Sequence, residues 1–326
     1  MPFPTRRALL AAAALAPLAA LAQAWPSRPI RLIAPFPPGG GTDFIARLLA
    51  DRIPARTGWT MVVENRPGAG GNIGLDAVAK AVPDGYTLGI GQTSNMAVNP
   101  ALYPAMPFDP LADLTPIGTI AAQPNLLVVA ADSPWRSVAE LVAAARARPG
   151  ELVAANAGNG TVGHLAGELF ARAAGIQLLH VPYRGAAPAT ADLLGGRAHL
   201  FFSNPLAVGA LVSGGRLRPL AVTSAAPARG LPEVPTLAEQ GFPGFNVRLW
   251  TALVGPARLP ATMVSALNAA LQAVLAEPET EARMAAEGSE PFPGTPAEFS
   301  VFLRREHETW ARVVREAGIR LTQLGQ

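Results

Sequence analysis

Two glycine-rich turns carry the residue types that could do chemistry in this chain. The first is Phe36-Pro37-Pro38-Gly39-Gly40-Gly41-Thr42-Asp43, and the second is Ala157-Gly158-Asn159-Gly160-Thr161-Val162-Gly163-His164. Each follows an apolar run that reads as a strand and opens onto a helical pattern. Backbone N–H groups at a helix start, backed by the helix dipole, make an anion site. Three successive glycines exceed what a helix cap requires and let a ligand approach bare backbone. Two such turns, roughly one per half of the chain, point to a ligand gripped from both sides.

Other chemistries find less support. Gly158-x-Gly160-x-x-Gly163 has the letters of a dinucleotide fingerprint, which also wants a carboxylate about 20 residues further on to hold a ribose. Leu179-His180-Val181-Pro182-Tyr183-Arg184 stands there without one. The first turn has no P-loop lysine. The four histidines, His164, His180, His199 and His307, show no metal-ligand spacing, and no Gly-x-Ser-x-Gly elbow is present. His164 either lines a cleft or satisfies local backbone, while His180 and His199 read as structural. Asp192, Glu168 and Glu140 read as solvated helix carboxylates. No catalytic group, cofactor or metal is therefore expected.

The elements around the turns alternate strand and helix, which argues for mainly parallel sheets covered by helices. Ile30 to Ala34 reads as a strand. Thr42 or Asp43 then caps a helix with Phe44, Ile45, Leu48, Leu49 and Ile53 on one face. Strands follow at Met61 to Val63 and Tyr86 to Ile90. The theme restarts after the capping box Ser137-Val138-Ala139-Glu140, with strands at Leu152 to Ala155, Gln177 to Val181, His199 to Phe202 and Leu217 to Val222. A second capping box, Thr295-Pro296-Ala297-Glu298, opens a C-terminal helix to about Ala317. Economy returns the late helices to the first unit, so that two segments cross between lobes. The expected division is 25–122 and 250–326 for one lobe and 123–249 for the other, with hinge crossings near 117–129 and 247–254. Trp250, in the second crossing, either lines the cleft or packs in the core.

Residues 1–24 read as an export signal: Arg6-Arg7, an apolar stretch from Ala8 to Ala22, and the cleavage site Ala22-Gln23-Ala24. Sec and twin-arginine export both fit, and either implies a soluble periplasmic protein. The chain has no cysteine, which excludes disulfides and thiolate chemistry. Lys80 is the lone lysine among 26 basic side chains, and the net charge is only +3. The positive residues are scattered singly, so nucleic acid is excluded as a partner.

Several blocks resemble the substrate-binding receptors of tripartite tricarboxylate transporters, the Bug proteins among them. They are Pro29-Ile30-Arg31-Leu32-Ile33 through Asp43, Val63-Glu64-Asn65-Arg66-Pro67-Gly68-Ala69-Gly70-Gly71, Pro83-Asp84-Gly85-Tyr86-Thr87-Leu88 and Asn99-Pro100-x-Leu102-Tyr103. Others are Gly163-His164-Leu165-Ala166, His180-Val181-Pro182-Tyr183-Arg184-Gly185, Leu220 to Thr223 and Leu231 to Thr236. The resemblance implies a two-lobed periplasmic binding fold that closes on its ligand. It also implies that a ligand carboxylate sits between Pro38 to Asp43 and Ala157 to Val162, and that Asn156 or Asn159 tunes ligand choice.

Selectivity would come from side chains at the carboxyl ends of strands: Phe36, the Gln92-Thr93-Ser94-Asn95 loop, Tyr183, Arg184, Ser203 and Asn204. Arg184 either meets a second anionic group or serves the surface. The function expected is a monomeric receptor that delivers a small carboxylate to a two-subunit membrane permease. A sensor presenting its closed form to a membrane kinase uses the same closure. An exported enzyme or nucleotide-binding module lacks its constellation.

Overall fold

The computed structural model describes residues 25–228 and 231–317. The expected signal segment, residues 1–24, lies outside them. Strand β1 (Ile30–Ala34) buries all its side chains but Arg31. Burial on both faces is what a central parallel strand requires. Helix α1 (Gly41–Thr57) follows and buries Ile45, Leu48, Leu49 and Ile53 on one face. Next come β2 (Met61–Asn65), α2 (Asn72–Ala79), β3 (Thr87–Gln92), a π-helical turn at Ser94–Val98 and α3 (Asn99–Leu102).

Strand β4 (Leu114–Pro124) leaves this first unit and β5 (Leu126–Ala130) begins a second. That unit holds α4 (Val138–Ala147), β6 (Val153–Asn156), α5 (Val162–Ala174), β7 (Leu179–Pro182), α6 (Ala186–Leu194), β8 (Leu200–Ser203), α7 (Pro205–Ser213) and β9 (Leu217–Val222). Strand β10 (Arg248–Pro256) returns to the first unit, followed by α8 (Ala261–Leu275), α9 (Pro278–Ala286), β11 (Glu290–Pro291) and α10 (Pro296–Ala317). The second expected capping box forms in full, with Thr295 and Glu298 bonding reciprocally. In the first, Ser137 Oγ accepts from Glu140 N–H, but the Glu140 carboxylate accepts from Arg136 N–H instead of closing the box.

The two sheets repeat one plan. The first runs β11-β4-β10-β3-β1-β2 and the second β7-β6-β8-β5-β9. Each places its first βα strand, β1 or β6, between parallel neighbours. Each also holds an antiparallel strand that arrives from the other unit, β10 or β5. The sheets are therefore mixed rather than mainly parallel. The physical reason is that a strand entering from the neighbouring lobe runs against the βα units it joins.

Among the described residues the chain passes between sheets at Asn125 and between β9 and β10. Thr223 laces the two passages together. Its Oγ accepts from Asn125 N–H at 2.8 Å and donates to the Val247 carbonyl at 2.6 Å. Its own N–H donates to the Asn125 carbonyl at 2.9 Å, and its carbonyl accepts from Val247 N–H at 2.8 Å. Thr223 is wholly buried. Replacing it with Val keeps the shape but leaves the Asn125 N–H and the Val247 carbonyl unpaired. Thr223→Val should cost about 2–4 kcal/mol in equilibrium denaturation, since each orphaned buried group costs ~1–3 kcal/mol.

Candidate functional site

The first βα strand of each sheet, β1 or β6, ends in one of the glycine turns, so the two turns occupy equivalent places in the two units. Open α/β sheets bind ligands at this carboxyl edge. Between the units lies a cavity of about 440 Å³, a volume typical of a small-ligand site. The starts of four helices border it: α1 through Gly41, α5 through Val162, α6 through Ala186 and α7 through Asn204. Two are capped by side chains. Thr161 Oγ accepts from His164 N–H, and Asn204 Oδ1 accepts from Ala207 N–H. The other two begin at Gly40 and Gly185 without a side-chain cap. Their first N–H groups have no intrahelical partner, and their positive dipole ends face the cavity.

The first turn departs from the sequence expectation. Gly40, not Thr42 or Asp43, is the N-cap of α1. Thr42 Oγ instead donates to Gln92 Oε1 at 2.8 Å. Asp43 turns back beneath the turn and accepts from Gly39 N–H, Asn65 Nδ2 and Arg47 Nε. Burial would raise the Asp43 pKa, but the bonds to Arg47, Gly39 and Asn65 outweigh it and hold the carboxyl below its ordinary value. Asp43 therefore braces the loop while its charge stays occupied, and no charged side chain of the turn lines the cavity.

Behind the second turn, His164 Nδ1 accepts from Gly160 N–H at 3.2 Å. Neutral His164 then carries its proton on Nε2, which lies 3.5 Å from a Glu168 carboxylate oxygen. His180 Nε2 sits 3.6 Å from that same oxygen. The three ligand atoms lie within 4.8 Å of one another, so the group has the composition of a metal site. The Gly160 bond argues against that role, because a metal on Nε2 needs the proton on Nδ1, where it would oppose the glycine N–H. The arrangement is instead a brace under the ligand loop. Glu168 is half-buried between two imidazoles, not the solvated carboxylate expected. Burial pushes the His180 pKa down to about 4, against the pull of Glu168 and helped by His164.

The structure sorts the expected site residues into two groups. Phe36, Pro38, Gly39, Gly40, Gly41, Thr42, Ala157, Thr161, Val162, Arg184 and Asn204 line the cavity, as do Gln92 and Ser203. Arg184 is the one charged side chain among the lining residues. Asp43, Asn95, Gly158, Asn159, Gly160, His164 and Tyr183 are not part of the wall. Asn95 is wholly buried and accepts from Gln92 N–H. Tyr183 donates to Asp192, and burial together with that carboxylate pushes its pKa up to about 12. Gly160 faces the other lobe, where a Cβ would stand 2.7 Å from Leu102 Cδ2. Trp250 belongs to the core, against Phe299 and Phe302. Sequence reasoning missed Gln123, Asn125, Leu206 and Leu249 in the wall. The one signal available for the first pair was two amides flanking Pro124 in an otherwise apolar crossing segment.

Two lobes, each with an uncapped helix start facing one shared cavity, define a solute-binding protein. Comparison with known proteins agrees. Residues 45–319 match the family described as the tripartite tricarboxylate transporter family receptor, and the chain belongs to that family of receptors, which are not enzymes. It is 39% identical to Protein BugT of Bordetella pertussis over 301 residues, 92% of each chain. Among solved structures it resembles the R. palustris protein Rpa4515 with adipate, at 40% identity and a TM-score of 0.87, covering 91% of this chain and 99% of that one. It also resembles MatC from Rhodopseudomonas palustris with bound malate, at 30% identity and a TM-score of 0.81, covering 89% and 100%.

Two measurements check this geometry. Gly160 sits at φ +73°, where a β-branched residue is strained. Gly160→Val should therefore lose about 2 kcal/mol or more in urea denaturation, before any ligand is added. His180 is the pH probe. Its folded pKa lies below the unfolded value of 6.5, so the unfolded state takes up protons first as pH falls. The His180 contribution is complete above pH ~6.5 and is lost toward pH ~4, on the order of 1–2 kcal/mol by pH 5. His180→Gln should flatten that part of the stability–pH curve relative to wild type.

Proposed function

We propose that this chain is a periplasmic receptor that captures a small carboxylate-bearing solute between its lobes and hands it to a two-subunit membrane permease. The observation that carries this reading is the pair of uncapped helix starts, Gly40–Gly41 and Gly185–Ala186, bordering the same cavity. A carboxylate there gains ~0.3–1 kcal/mol per helix end, and up to ~2 where partly buried. Hydrogen bonds from backbone N–H groups to a charged acceptor add to this. No acidic side chain lines the cavity, and Arg184 contributes a positive charge at its rim. The relatives with adipate and with malate hold dicarboxylates, which supports the same ligand class here.

In this reading residues 25–124 and 248–317 move as one lobe and 125–247 as the other, turning about the Asn125–Thr223–Val247 lacing. These bounds are slightly shifted from those expected from sequence because β4 and β10 both belong to the first sheet. The export signal expected at residues 1–24 takes the protein to the periplasm as a soluble monomer. Among the described residues no helix is long and apolar enough to cross a membrane. The family's transport role supports a permease as the recipient of the closed, loaded form.

Thermal and isothermal titration against adipate, malate, succinate and citrate tests the reading. At a hundredfold excess over Kd, a true ligand should add about 2.7 kcal/mol to wild-type stability. Gly40→Val is a clean negative control. A Cβ at Gly40 meets only the Pro37 carbonyl, at 3.7 Å, so the unliganded protein should melt near wild type while binding is abolished. Wild-type affinity in Gly40→Val would remove the first turn from the site.

A further inference from the structure

The strand that leaves the first lobe and the residue just after it carry two amides whose chemistry the fold leaves unused. Gln123 and Asn125 flank Pro124, and an i, i+2 spacing in extended chain points both side chains to the same side. Both line the cavity, and they are only 6% and 3% exposed. Asn125 Nδ2 is fully buried and has no hydrogen-bond partner. Gln123 Nε2 lies 3.2 Å from where a Cβ on Gly41 would stand, beside the uncapped start of α1. Nearly all buried polar groups in folded proteins are paired, so an orphaned donor in a cavity wall marks a place where another molecule supplies the acceptor.

The backbone of Asn125 is meanwhile fully committed. Its N–H and its carbonyl are both held by Thr223, which also ties down Val247. The residue thus has its main chain in the lacing between the lobes and its side chain, with an unpaired buried donor, in the cavity wall. Its surroundings select the acceptor. The cavity wall holds no carboxylate to satisfy an amide N–H, whereas a ligand carboxylate at the start of α1 lies within reach of Gln123. We propose that the Gln123 and Asn125 amides are the side-chain donors for the solute's carboxylate, binding it directly to the strand on which the lobes turn. This rests on the reading of the cavity as a carboxylate site. It adds that ligand occupancy and hinge geometry are one event, because a single residue joins the carboxylate to Thr223. The donors are neutral, so recognition relies on hydrogen-bond direction and helix dipoles rather than on a buried counter-charge.

Titration of adipate and malate into wild type, Asn125→Ala, Gln123→Ala and Asn125→Asp tests this. The alanine variants should keep their unliganded melting behaviour and each lose about ten- to a hundredfold in affinity, the loss expected for one hydrogen bond to a charged acceptor. Asn125→Asp is isosteric but opposes a carboxylate with a carboxylate. It should bind worst at pH 7.5 and regain affinity on acidification toward pH 4.5, as the new carboxyl takes up a proton and becomes a donor again. Wild type serves as the reference for that profile. Wild-type affinity in both alanine variants, or an Asn125→Asp profile parallel to wild type, would overturn the amide assignment and leave the carboxylate reading standing. Failure of wild type to bind any of adipate, malate, succinate and citrate would overturn the carboxylate reading itself.

Discussion

Unpaired N–H groups at helix starts are the constraint on which the cleft depends. A helix leaves its first donors without internal partners, and a side-chain cap is one way of answering them. Here Thr161 and Asn204 supply caps for α5 and α7, while Gly40 and Gly185 supply none for α1 and α6. Repetition of one strand order in both sheets brings these starts to a common cavity. What one lobe leaves unsatisfied at Gly40 therefore faces what the other leaves unsatisfied at Gly185. In the proposed receptor, one anion between them answers both.

The charged and imidazole side chains nearest the turns hold that backbone in place from behind. Asp43 accepts from Gly39 N–H and Asn65 Nδ2, and its charge is paired with Arg47. His164 accepts from Gly160 N–H, and Glu168 with His180 lies directly behind it. In both lobes the charged groups sit under the loop and the backbone sits over it. This order matters for an anion receptor, because a carboxylate such as Asp43 facing the cavity would repel the ligand. It also explains how glycine, the residue with most conformational freedom, can hold a defined binding geometry.

The hinge is bonded as tightly as the loops are braced. One buried threonine satisfies backbone groups on both crossing segments. Antiparallel β5 and β10 carry each crossing deep into the neighbouring sheet, which anchors the hinge on both sides. Gly160 against Leu102 and Gly288 against Pro205 add close approaches between lobes that a side chain on either glycine would obstruct.

What was readable in the sequence was local. The βα units, the two capping boxes and the glycine turns depend on residues within a few positions of one another, and apolar period and cap chemistry express such contacts directly. The repeated family blocks extended that reading to the two-lobed class. The direction of individual side chains was not readable. Asp43, Asn95, His164 and Tyr183 all stand in or beside the right loops, yet each is claimed by a partner inside its own lobe. Gln123, Asn125, Leu206 and Leu249 reach the cavity only because crossing strands and an opposing helix bring them there. The sequence by itself determined that two glycine turns stand between a strand and a helix start, since turn and cap chemistry are local properties, although the uncapped start in the second lobe is at Gly185 rather than in the Gly158–Gly160 turn. Tertiary structure alone decided that both face one cavity and that two hinge amides complete its wall. The reason is that satisfaction of a buried polar group depends on neighbours far away along the chain.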